Sequence, residues 1–248
     1  MVKDLAKQGL IYKMTTKPRS ITRLIFSILL FIAATIVLFL FPDWIENLNK
    51  WWLLPLWLYF AFEAIRVIFP VFNISIASGK HFIKNFKPSE YFSLNSIKGL
   101  VADYKHPLVI GICWLLLLGG IATLYFTHTI SYLWIYYFVI FFHMSDNICI
   151  NIWCPFRTYM KNRCCVTCRI YNWDHFMKYS PLIFIPNVCN YILFALGSIA
   201  LIQWEILHKQ HPERFYQLTN TNLTCSNCAR DCFRKRWVNP NYKKAEKS

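Results

Sequence analysis

The chain has 248 residues, 56% of them hydrophobic and 18% aromatic, and carries a formal net charge of +15 although only 16% of its residues are charged. A soluble domain carries about 25% charged residues, and a nucleic-acid binder would set its Lys and Arg on a soluble scaffold; here they fall between long apolar runs. The balance argues against both classes and for a membrane protein whose basic flanks meet anionic lipids.

Residues 1–23 form a basic segment with Lys3, Lys7, Lys13, Lys17, Arg19 and Arg23. A bilayer core takes roughly 20 mostly apolar residues per helix. Four runs meet that need, about 24–41, 51–72, 108–126 and 132–153, and a fifth lies within 181–207. No A-x-A-like cleavage site precedes the first run, so it reads as a retained helix. The expected fold is an all-α multi-pass transmembrane bundle: four helices with their loops over 24–153, a cysteine-rich loop over 154–180, a fifth membrane segment over 181–207 and a cysteine-rich basic tail over 208–248.

Orientation follows the Lys/Arg bias of the short loops. Loop 42–50 offers only Lys50, and loop 127–131 has no Lys or Arg. Loop 73–107 carries Lys80, Lys84, Lys87, Lys98 and Lys105, and loop 154–180 carries Arg157, Lys161, Arg163, Arg169 and Lys178. The N-terminus and the cysteine loop are therefore expected in the cytoplasm. The tail, with Arg230, Arg234, Lys235, Arg236, Lys243, Lys244 and Lys247, breaks the alternation if 181–207 crosses once. Pro186-Asn187 offers an escape: 170–186 would dip in as a re-entrant arm and 188–207 would return, leaving the tail cytoplasmic, since broken helices are tolerated where protein or water satisfies the backbone.

Of ten cysteines, Cys113, Cys149 and Cys189 lie in apolar runs and read as small hydrophobes. Cys154, Cys164, Cys165 and Cys168 share one loop, and the tail adds Cys225, Cys228 and Cys232. A C-x2-C spacing lets two thiolates reach one ion from a single turn, so Cys165/Cys168 with Cys225/Cys228 matches a tetrahedral zinc site or an iron–sulfur cluster. Disulfides and a dithiol redox pair, its thiolate favoured by Arg163 and Arg169, are the competing readings. The full ferredoxin run is absent, and a zinc ribbon needs only the two pairs.

In segment 132–153, His143, Asp146 and Asn147 fall at i, i+3 and i+4, with Asn151 and Cys154 near the same face. An ionisable group in the bilayer core faces a bundle interior or a cavity. His143 and Asp146 are thus the candidate functional pair, as part of either a satisfied interhelical network or a path for a proton, ion or substrate. Glu63 and Arg66, one turn apart, read as an ion pair near the interface, or, if Glu63 faces Asp146 or His143, as part of the same site. Nucleotide-, protease- and hydrolase-type motifs are absent. Three functions remain. In the first, a cysteine-ligated zinc or iron–sulfur centre exchanges electrons with a cytoplasmic redox protein, and the stripe moves a proton or holds a quinone-like acceptor. In the second, the stripe lines a transport pathway under a structural zinc cap. The third is a scaffold without catalysis.

Overall fold

The computed structural model describes residues 2–41, 50–69, 81–89, 105–156, 168–216 and 219–223. The described residues are helical, with no strand among them: α1 Val2–Leu40, α2 Leu54–Ile68, α3 Lys105–Phe126, α4 Tyr132–Asn151, α5 Arg169–Tyr179 and α6 Val188–Gln210. The protein is an all-α multi-pass bundle. Five stretches are long and apolar enough to cross a membrane: Ile21–Leu40, Trp51–Ile68, His106–Phe126, Tyr132–Asn151 and Val188–Gln210.

Local chemistry sets where the helices stop. Pro55 opens the first turn of α2, where its missing N–H is no loss. Pro70 pushes Phe69 out of the helical region, to φ −92° and ψ 118°, and α2 ends. The apolar run over 181–207 is divided. Pro181 lies in a 3-10 turn, Ser180–Phe184, that continues α5. Pro186 then precedes Asn187, whose side chain accepts from Cys189 N at 2.8 Å and starts α6.

Side-chain contacts fix the directions. α1 runs antiparallel to α4: Phe39 meets Trp134 at 5.8 Å between ring centroids, and Phe31 meets Phe141 at 5.9 Å. α3 is likewise antiparallel to α4, with Trp114 against Phe142 at 4.9 Å. α2 and α6 are parallel: Trp57 Nε1 donates to Asn190 Oδ1 near their starts, and Gln203 Nε2 donates to Ile68 O near their ends. α5 folds back along α6 as a hairpin, with Arg169 on Glu205 at its start and Ile185 O accepting from Asn190 at its tip.

Arg23, Ile68, Lys105, Asn151, Cys168 and Gln210 therefore share one end of the bundle, called the basic end below. α4 is the central helix: 44% of its span is buried, against 11% for the spans of α1 and α3. Its burial explains why its polar residues converge on other protein groups instead of lipid. At the basic end the segment after α6 turns back over residues 81–89. His81 stacks on Phe215 at 5.3 Å, and Lys87 O accepts from Thr221 N at 2.9 Å.

Candidate functional site

His143, Asn147 and Asn151 lie a turn apart on the buried face of α4. Asn147 Nδ2 donates to His143 O at 2.9 Å, and Asn151 Nδ2 donates to Asn147 O at 2.9 Å, so each amide is anchored on its own helix. The His143 ring is 2% exposed and sits edge-on to Tyr59 and Phe60 of α2, at 5.5 and 5.3 Å. Its Nε2 lies 3.0 Å from Tyr59 Oη and 3.4 Å from Asn147 Nδ2. An amide nitrogen can only donate. With Nε2 assigned on this ground as the acceptor of the ring, the proton is placed on Nδ1. That Nδ1–H is buried and meets no hydrogen-bond partner.

Ionic groups surround this donor. Arg23 of α1 donates to Glu63 of α2 at 2.8 Å, and Glu63 also lies 3.9 Å from Arg66. On α5, Lys178 donates to Asp174 at 2.9 Å and is only 1% exposed. Asp146 is half-buried and acts electrostatically on Lys178. Three cations thus face three carboxylates, and the group is formally balanced. Arg23 and Lys178 in turn act on His143. His175 of α5 is buried, lies within the electrostatic reach of His143, and likewise has an Nδ1 with no hydrogen-bond partner. Tyr179 closes the group by donating to Phe60 O at 3.0 Å.

A second polar layer lies nearer the opposite end. Asn190, fully buried, accepts from Trp57 Nε1 at 2.9 Å and exchanges hydrogen bonds with Tyr136 Oη at 3.0 and 3.1 Å. Its partners complete each other, so this layer is a lock. Val139, Ile140, Leu182 and Leu193 belong to the buried core that accompanies it. The cluster around His143 lies on the basic side of that lock.

The structure brings His143 together with groups that the sequence reading did not select: Tyr59, Arg23, His175 and Lys178. Glu63, paired in the sequence with Arg66, has its shorter contact to Arg23, forty residues away. The signal for His175 and Lys178 was the stretch Asn172-Trp173-Asp174-His175, a polar helix abutting an apolar run. Among the metal candidates, Cys154 and Cys168 lie at the basic end, Cys168 as the N-cap residue of α5 and Cys154 hydrogen-bonded to the Cys149 thiol. Cys164, Cys165, Cys225, Cys228 and Cys232 lie outside the described residues. Among the described residues no group of three or more His, Cys, Asp or Glu is placed to hold a metal ion. Compared with family models, with curated proteins and with solved structures, the chain finds no match.

Proposed function

We propose that this is a membrane transport protein, its basic end in the cytoplasm, in which the Tyr59–His143–His175–Lys178 cluster binds a small anion together with a proton. The observation that carries the reading is the buried Nδ1 of His143, which meets no hydrogen-bond partner although it lies within the electrostatic reach of Arg23 and Lys178. A buried donor left unsatisfied costs about 1–3 kcal/mol. An apolar side chain would avoid that cost, and an anion entering from the basic end would supply the acceptor. The balance of the ion pairs sets the stoichiometry. A protonated imidazole alone would add a fourth cation with no water to solvate it, and an anion alone would add a fourth negative charge. The two together keep the cluster neutral, which is the condition for stable burial of charge.

The layer at Asn190 then acts as the outer barrier of a buried site that the anion reaches from the basic end. The test is calorimetry on the purified protein with chloride, phosphate and glutamate in two buffers of different ionisation enthalpy. Binding of the accepted anion takes up about one proton per site by linkage, and His143→Gln and His175→Gln abolish that uptake. Anion binding with no proton exchange, or identical behaviour of the variants, contradicts the reading.

A second reading concerns the cysteines. Cys154 and Cys168 lie at the basic end, and α6 returns the chain to the same end, where Leu223 stands two residues before Cys225. The C-x2-C spacing remains compatible with one shared centre, zinc or iron–sulfur, built from Cys165, Cys168, Cys225 and Cys228, with Cys154, Cys164 and Cys232 as further candidates. One zinc per chain supports a structural cap on a transporter. Iron with labile sulfide supports electron transfer to a cytoplasmic redox protein. Cys→Ser changes in either pair should lose the same metal; loss from one pair alone contradicts the shared centre.

A further inference from the structure

A groove of about 650 Å³ opens at the basic end of α6, lined by Phe82, Ile83, Ile202, Gln203, Ile206 and Arg214 among others. Its α6 wall is a lipid-facing surface, with Ile202 53% and Ile206 48% exposed. Lys209 follows Ile202 and Ile206 on the same helix face, at the spacing i, i+4, i+7, and is itself exposed. Arg214 sits where the groove leaves the membrane span, in the 3-10 turn Pro212–Arg214. Its one ion pair among the described residues is to Glu213 at 3.8 Å, beyond hydrogen-bond distance, and that carboxylate is held closer by His211 at 3.1 Å. The Arg214 side chain is only 10% exposed and forms part of the groove lining. An apolar trough with one cation in its lining, Arg214, and a second, Lys209, further along the same α6 face is complementary to an acyl chain joined to a negatively charged headgroup.

We infer that this groove is a binding site for an anionic glycerophospholipid, one acyl chain lying along Ile202 and Ile206 and its phosphate meeting Arg214 and Lys209. Gln203 does not contribute to the headgroup, because its Nε2 is committed to Ile68 O at 3.0 Å. The site is separate from the His143 cluster and stands whether or not that cluster transports anything.

Native mass spectrometry of the full-length protein, delipidated and then given equal amounts of phosphatidylglycerol and phosphatidylcholine, tests it. The wild-type chain retains one phosphatidylglycerol in preference to phosphatidylcholine. Ile202→Trp and Ile206→Trp, which fill the trough from a lipid-facing position, lose it. Arg214→Gln weakens retention about tenfold or more, as expected for losing a charge-assisted hydrogen bond. Ile192→Trp, an exposed site on the same helix near the opposite end, keeps it and reports that the fold is intact. Equal retention by the wild type and both filling variants overturns the site. Equal retention of the two lipids, or displacement by inorganic phosphate alone, overturns the lipid assignment.

Discussion

His81 gives the clearest pH signature outside the membrane spans. Its ring is 4% exposed and packed against Phe82 and Phe215, and burial, aided by the nearby Arg214 charge, pulls its pKa from the ordinary 6.5 down to about 4. The unfolded chain binds a proton at this residue below pH 6.5, while the folded chain does so only near pH 4. Folding stability therefore falls as pH drops from about 6.5 to about 4, by about 3 kcal/mol in all, and the contribution is flat on either side. His81→Phe removes that slope, which unfolding midpoints at pH 7 and pH 5 will show. Asp146 is the other test at this scale. Asp146→Asn keeps the side chain's shape but takes one carboxylate from the balanced cluster near Lys178, so the excess cation should be matched by the anion alone and anion binding should lose its proton uptake. Unchanged proton uptake in the variant would assign Asp146 to packing alone. His143, Asp146, Asn147 and Asn151 were legible in the sequence because one helix carries them at helical spacing. Tyr59, Arg23 and His175 were not, because their proximity to His143 comes from the packing of separate helices.

Among the elements, α5 is the one that hydropathy conceals. Asn172, Asp174, His175 and Lys178 make it polar, yet all four are buried or half-buried between α2, α4 and α6. Its close approach to α6 depends on Gly197: a Cβ there would stand 2.8 Å from His175 O and 3.0 Å from His175 C, both backbone atoms that cannot rotate away. Gly197→Ala should therefore displace α5 and cost about 1–3 kcal/mol. Gly120→Ala, which has no atom within 4 Å, should instead be neutral or stabilising by up to about 1 kcal/mol. Thermal unfolding in detergent separates the two. The break at Pro186-Asn187 was readable from proline and N-cap chemistry. The helical arm before it was offered by the sequence only as an alternative, because a polar helix inside a bilayer is specified by its partners and not by its own composition.

Taken as a whole, the chain traverses the bundle once more than its apolar runs suggest. α5 with the following 3-10 turn rises about 26 Å, close to the roughly 30 Å of a bilayer core. That extra traverse returns the C-terminal end of α6 to the end that holds Arg23, Arg66 and Arg169. The charge bias then runs one way throughout, which the proposed cytoplasmic placement of that end explains. Reporter fusions after residues 20 and 160 and at the C-terminus should all report cytoplasm, and one after residue 46 the outside; an external C-terminus would contradict the arm as a traverse. The most direct measurement is anion-driven acidification of proteoliposomes loaded with a pH-sensitive dye. Wild-type protein should acidify the lumen when the accepted anion is added outside, whereas His143→Gln and His175→Gln, inserted at equal density, should match protein-free vesicles. Acidification that persists in both variants, or that never exceeds the protein-free rate for any anion bound by the wild-type protein, would contradict a proton-and-anion site at His143.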